Sequence, residues 1–415
     1  MQRGLLVVCL AAACGDVVKT SPDAPPLEDA TVDEQGGPDG PVLPTAPPVT
    51  DGQFADLAIG APDLATRTTG MTPDTSRSAG GLSATATHLW ITDMHNARVL
   101  QLNAPPLVFS AAADVAVGQS SLTTNTSGPS GRLLTAASGF TNLGDVSSDG
   151  TRVVVSDSAS NRVLIWSSIP TASGVPWDVV LGQTTTTAAT AGTAANKLSD
   201  PRGVWTDGTR LVVADTGNNR VLIWTTMPTT NGVPADIVLG QAAFSTADAP
   251  SPPTPSSMNQ PLDVFFDGER LYVSDSQNNR VMGWNGMPTT NNQPADFFVG
   301  QNGGATGSPN AAAGSQMPNA IGLHIPGEIT VAHGSLYIVD MVNFRVVVHT
   351  PRPTTSGESA DAVLGATDFM GGAIAAEQSL TPRGLAVQGD KLFLSDSNLG
   401  IGGSRVLRYT LTNLP

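Results

Sequence analysis

Arg210-Leu-Val-Val-Ala-Asp215-Thr-Gly-Asn-Asn219-Arg220-Val-Leu-Ile-Trp224 is the stretch that decides the fold. Its two ends are rich in β-branched and aromatic residues, which suit a pleated, packed surface. Asp215, Gly217, Asn218 and Asn219 between them are turn formers that accept positive φ or bond their own backbone. The stretch predicts a strand, a tight turn and a second strand. The chain writes this hairpin six times.

The other copies place the same Asp and Arg at Asp93/Arg98, Asp157/Arg162, Asp275/Arg280, Asp340/Arg345 and Asp396/Arg405. The interval from Asp to Arg is the same in all but the last copy, where extra residues, mostly glycine, intervene. A second element is a short strand ending in Gly-Gln. It opens with an aspartate at one fixed interval after the hairpin aspartate: Asp114, Asp178, Asp236, Asp296 and a degenerate copy at Asp361. A third lies upstream. Gly81, Asp145, Gly203, Asp263 and Gly384 each begin a strand at one fixed interval before a hairpin aspartate, as Gly203 does before Asp215. The fifth copy reads as longer here, from Ile321 to Gly334.

The unit is therefore four strands, near 203–206, 210–214, 220–224 and 236–240, and the hairpin aspartates at 93, 157, 215, 275, 340 and 396 mark its near-regular recurrence. Repeated four-stranded meanders around an axis are β-propeller blades. The final copy ends after its third strand, and its missing outer strand is found at the start of the repeats as Phe54-Ala-Asp56-Leu-Ala-Ile-Gly60. The prediction is an all-β, six-bladed propeller over 51–415 whose last blade is closed by an N-terminal outer strand. Closure removes sheet edges that would otherwise invite aggregation.

Pro201-Arg-Gly-Val together with Val213-Ala-Asp215-Thr-Gly-Asn-Asn-Arg220-Val resembles the NHL-repeat family, over roughly residues 80–415. That resemblance implies a six-bladed propeller used mostly for binding, with a few lyase or hydrolase members. In the lyases it implies a channel histidine cluster carrying zinc. Asp56-Leu-Ala-Ile-Gly-Ala-Pro62 also resembles an integrin-type FG-GAP motif, but singly and without the Asp-rich calcium loop, so the outer-strand reading is preferred.

The chain has 415 residues with a formal net charge of −15, and no Lys/Arg cluster, which argues against nucleic acid as a partner. Its two cysteines, Cys9 and Cys14, leave the repeats without disulfide, thiolate zinc site or thiol nucleophile. Met1-Gln-Arg3 and the apolar run Gly4–Ala13 read as a signal peptide over 1–13, too short to span a bilayer. Ala11-Ala-Ala-Cys14 resembles a bacterial lipobox, with Leu10 one position too early, which implies lipidation at Cys14. Residues 14–50, rich in Pro, Asp and Glu, read as an extended, disordered tether. The expected location is a bacterial cell envelope, periplasmic or surface side, with membrane contact only through the N-terminal lipid.

The six Asp/Arg pairs are read as structural, because the same ion pair in every blade is explained by architecture and an Arg fork grips a carboxylate bidentately. Asp145 and Asp263 at the channel mouth, with His324 one strand-length in, are weak candidates for a divalent cation; no cofactor is expected otherwise. The connections 120–140, 184–200, 242–259, 302–318 and 367–380 vary most, and variable loops on a rigid scaffold commonly carry binding sites. The expected function is a non-catalytic, monomeric binding or interaction scaffold with a protein or glycan partner on that face. The alternative is an exported, metal-assisted lyase or hydrolase at the channel mouth.

Overall fold

The structure, a computed structural model, describes residues 46–104, 106–126, 144–311, 317–371, 380–397 and 403–414. Six four-stranded antiparallel sheets make up the β-propeller. We letter the strands a to d from the axis outward. Blade 1 is Ala79–Ala84, Leu89–Asp93, Arg98–Leu102 and Val115–Val117. Blade 2 is Val146–Ser148, Val153–Asp157, Arg162–Trp166 and Val179–Leu181. Blade 3 is Pro201–Thr206, Leu211–Asp215, Arg220–Trp224 and Ile237–Leu239. Blade 4 is Pro261–Phe266, Leu271–Asp275, Arg280–Trp284 and Phe297–Val299. Blade 5 is Pro326–Ala332, Ser335–Asp340, Arg345–His349 and Ala362–Leu364. Blade 6 is Pro382–Gln388, Lys391–Ser397 and Ser404–Thr410, and its outer strand is Leu57–Ile59 from the N-terminal side.

Strands b and c are apolar on both faces because each blade is covered by its neighbours. Val212, Ala214, Val221 and Ile223 of blade 3 share one buried cluster with Leu271, Val273 and Met282 of blade 4. Ring closure follows the same logic. Leu57 pairs with Arg408 and Ile59 with Val406, and Arg408 Nε donates to Asp56 Oδ1 at 2.6 Å. The fold begins earlier than residue 51. Val49 is buried in the blade 5–6 cluster, and the Thr412 amide donates to the Pro48 carbonyl, so the segment from 46 to 50 belongs to the propeller rather than to a free tether. The signal segment, Cys14 and most of the tether lie outside the described residues.

The Asp/Arg hairpins are joints. Between strands b and c of blade 3 the chain makes one 3-10 turn, Thr216–Asn218, and Asn219 closes it at φ 53°. Asn tolerates this left-handed conformation, and its side chain bonds outward as well. Asn219 Oδ1 accepts the Gln260 amide of the next blade, as Asn161 accepts Asp200 and Asn279 accepts Ile325. The Arg and Asp side chains meet at 2.6–2.8 Å in all six blades, and both are buried. Arg220 also donates to the Thr193, Ala194 and Lys197 carbonyls on the connection entering its blade and to Phe244 on the connection leaving it. One guanidinium thus fastens two loops. Burial pushes Asp215 up to about 6, against the pull of Arg220.

Blade 6, whose interval from Asp to Arg is the longer one, builds its joint differently. Arg405 Nε donates to Asp396 Oδ2 at 2.7 Å, so the pair itself forms. The two residues are cross-strand partners in a hairpin that runs on to Ser397 and Ser404, instead of turning directly after the aspartate. Asp396 is also shared. Arg67, from the segment after the closing outer strand, donates to both its carboxylate oxygens at 3.1 Å. Arg405 is therefore one of two cations on its aspartate, and the second ties the N-terminal side of the chain to the last blade. The physical reason is closure: here the connection entering blade 1 packs against the end of the ring, as the Thr68–Ser404 bridge shows.

Gly-Gln has a matching task. Gln241 Nε2 donates to the Asn219 carbonyl at 2.9 Å and to Asp248 at 2.7 Å, pinning the first part of the d–a connection; Gln183 and Gln301 do the same. The aspartates that open the d strands bind the amide that follows strand c, as Asp236 accepts Thr225 at 2.8 Å.

Candidate functional site

The channel is built by the a strands. One layer of it is made by the residues equivalent to Gly203, which stand at the same interval before each hairpin aspartate. Around the ring they are Gly81, Asp145, Gly203, Asp263, Glu328 and Gly384. In five blades the a–b register shifts at this point, for example between Pro201 and Val204, and a bulge re-aims the strand toward the axis.

Three carboxyl groups converge here, each held by the backbone of a neighbouring blade. Asp145 Oδ2 accepts the Val204 amide at 3.0 Å, and its Oδ1 accepts Val146 at 2.6 Å. Asp263 Oδ2 accepts Ile329 at 2.7 Å. Glu328 Oε2 accepts Leu385, and Glu328 is hydrogen-bonded to Asp145. Glycine at the intervening positions makes room. A Cβ on Gly81 would overlap Asp145 Oδ1 and stand 2.8 Å from Glu328 Oε1; one on Gly203 would lie 2.5 Å from Asp263 Cα.

Buried carboxylates of like charge resist ionisation together. Burial, chiefly, lifts Asp145 to about 7, opposed by the Val204 and Val146 amides. Burial and then the Asp145 charge lift Asp263 well above the usual carboxylate range. Glu328 is raised likewise, by burial and by both aspartates. Burial and mutual charge therefore favour the protonated form of these carboxyls, in which a carboxyl can donate as well as accept.

Beyond this floor the channel widens into a cavity of about 350 Å³ that opens on the face of the a–b turns. Its wall carries Ser83, Ser147 and Thr330 in blades 1, 2 and 5, and the half-buried Trp205 and Phe265 in blades 3 and 4. The rim turns are stitched together: Arg152 donates to the Gly208 carbonyl, and His333 Nε2 meets the Gly389 carbonyl at 2.8 Å.

Asp145 and Asp263 do come together, and Glu328 joins them. His324 does not line this cavity. It lies in the coil before strand a of blade 5, where its amide donates to Asp340 Oδ1 at 2.8 Å, the position that Ser199 and Asn259 hold in blades 3 and 4. The carboxylates are committed to backbone amides, no imidazole stands with them, and among the described residues no group of three His, Cys, Asp or Glu side chains is arranged to hold a metal ion. The residues present do not fit a zinc centre.

Glu328 is masked in the sequence by its residue type. It stands in register, at the same interval before Asp340 as Gly203 before Asp215, but its counterparts are Gly or Asp, and the preceding Ile-Pro-Gly makes the copy look longer. Equal spacing, taken without regard to residue type, identifies it. Of the variable connections, 127–143, 312–316 and 372–379 lie outside the described residues.

No family model matches the chain, and no curated protein matches it. Among solved structures, the chain is similar to the PQQ-bound aldose sugar dehydrogenase of Streptomyces coelicolor, at 16% identity over 83% of this chain and 97% of that one, TM-score 0.44. It is also similar to virginiamycin B lyase of Staphylococcus aureus, at 11% identity over 81% and 97%, TM-score 0.40. A luciferin-regenerating enzyme matches at 13% identity over 81% and 92%, TM-score 0.43. These are six-bladed-propeller-like proteins, several of them enzymes, and the resemblance concerns fold alone.

Proposed function

We propose that this propeller is a non-catalytic binding protein that takes a glycan into the axial cavity. One observation carries this reading: the open cavity of about 350 Å³ places Trp205 and Phe265 on adjacent blades of its wall, with hydroxyls on blades 1, 2 and 5 and the carboxyl layer beneath. An aromatic face packs the C–H side of a sugar ring, while hydroxyl and carboxyl groups exchange hydrogen bonds with its hydroxyls. The test is a titration of intrinsic tryptophan fluorescence with a panel of neutral oligosaccharides, repeated on Trp205→Ala. Saturable binding lost in a folded Trp205→Ala protein is expected. Silence across the panel, or equal affinity in the variant, would sink the proposal.

The repeat motif supports membership of the NHL-repeat family, and the N-terminal motif supports export with lipid attachment at Cys14, which would hold the propeller at a cell envelope as a monomer. Mass spectrometry of the N-terminal peptide, in the native chain and in Cys14→Ser, tests the attachment; an unmodified or uncleaved native N-terminus contradicts it.

A second reading has its own observation. Asp145, near 7 and hydrogen-bonded to Glu328, has the acidity of a general acid–base pair, which favours a lyase or hydrolase working without a metal. Turnover of a bound glycan that stops in Glu328→Gln while binding persists would select it over pure binding.

A further inference from the structure

The channel has a second end, on the face of the b–c turns. There the residue preceding the carboxyl layer is Gly80, Gly144, Leu262 or Gly327 in four blades and arginine in two, Arg202 of blade 3 and Arg383 of blade 6. Blades 3 and 6 stand opposite each other in a ring of six. Both arginines line one small space of about 20 Å³, which Asp145, Asp263 and Glu328 of the carboxyl layer line as well, and Arg202 is close enough for its charge to act on Arg383.

Their charges are not equally balanced. Arg202 donates to Asp200 Oδ2 through Nε at 3.2 Å and Nη2 at 2.8 Å. Arg383 has no carboxylate partner among the described residues. Its Nη1 meets Met341 Sδ at 3.1 Å, and its buried Nε has no hydrogen-bond partner. Burial, and then the charge of Arg202, hold Arg383 below the usual arginine range. A largely buried cation with an unsatisfied donor is costly unless something pairs with it.

We propose that Arg383 and Arg202 form an anion site across the axis, taking the carboxylate end of a ligand that arrives from the b–c turn face. With Arg202 already paired to Asp200, the charge left for a ligand is that of Arg383, which calls for a monoanion. The guanidinium fork matches the two oxygens of a carboxylate. The small space admits the edge of a planar oxyanion and leaves little room for a whole tetrahedral phosphate. Asp145, Asp263 and Glu328 line the inner side of the same space, and burial raises all three toward the neutral form, which weakens their repulsion of an anion. This site lies on the opposite face from the glycan cavity and does not depend on it.

The test is calorimetric titration of the folded full chain at constant ionic strength. The probes are N-acetyl-Gly-Gly for a peptide carboxyl end, methyl glucuronide for a uronic acid, and chloride and inorganic phosphate as controls. Saturable binding of either carboxylate is expected, at least tenfold weaker in Arg383→Gln. The tighter of the two tells which source the site prefers. If Arg383→Gln does not fold, Arg383→Lys, which keeps the charge and loses the fork, and Arg202→Gln must each weaken binding. The assignment is overturned if neither carboxylate binds, if chloride or phosphate binds as well as they do, or if folded arginine variants bind undiminished.

Discussion

Arg220 Nε lies 2.6 Å from Asp215 Oδ2 across a single turn, and neither side chain touches solvent. The same pair recurs in every blade, so its removal is a test of architecture. Breaking a buried ion pair by deleting one partner strands the other charge, at a cost of about 3–5 kcal/mol. Asp215→Ala is expected to lower the melting temperature markedly while leaving saccharide affinity at the axial cavity unchanged in the folded protein. A variant of native melting temperature that no longer binds would contradict the structural role.

The carboxyl layer makes stability depend on pH in a stated direction. A carboxyl whose folded pKa is raised stabilises fully below its unfolded value and loses that contribution as pH rises through the folded value. For Asp145 the window runs from the usual carboxylate range up to about 7. Glu328→Gln keeps an acceptor for the Leu385 amide and a donor for Asp145 while removing one charge. Its melting temperature should match the native protein near pH 4 and exceed it at pH 8, by about 2–4 °C if the gain is roughly 1 kcal/mol. Parallel pH profiles would contradict this account.

Gly203 is a packing requirement. A methyl group there meets Asp263 Cα at 2.5 Å, and backbone cannot swing aside as a side-chain tip can. Gly203→Ala should cost about 1–3 kcal/mol by overpacking, measured by denaturant titration. Gly150→Ala offers the contrast: a Cβ there meets nothing within 4 Å, so its cost comes from φ +85° alone.

The outer strand of blade 6 comes from the other end of the chain. Removing positions 1–45 should leave the melting temperature unchanged, whereas removing 1–60 deletes Leu57–Ile59 and bares the edge of Ser404–Thr410. An unpaired edge is a template for association. Size-exclusion chromatography should show the longer truncation as oligomers or aggregate, and a stable monomer would contradict closure by this strand.

The blades were legible in the sequence because their information is local. The run from Arg210 to Trp224 contains its own strands, turn formers and ion pair, and repetition ruled out coincidence. Even closure was readable, since Phe54–Gly60 repeats a pattern seen in full elsewhere. The loop anchors were half legible. The Asp/Arg spacing showed a pair, but not that Arg220 grips the carbonyls of two connections, nor that Arg67 joins Arg405 on Asp396.

What tertiary structure alone decided is what stands together at the axis. Asp145, Asp263 and Glu328 belong to blades 2, 4 and 5, and only the ring brings them within hydrogen-bonding reach of neighbouring blades. Their raised pKa comes from burial and mutual charge, neither of which is a property of a single repeat. Arg202 and Arg383 are ordinary Pro-Arg-Gly copies in sequence, and become a facing pair because their blades lie opposite in a ring of six. The opening hairpin, Arg210 to Trp224, thus determined the scaffold, while the chemistry belongs to positions that the scaffold repeats and the residues do not.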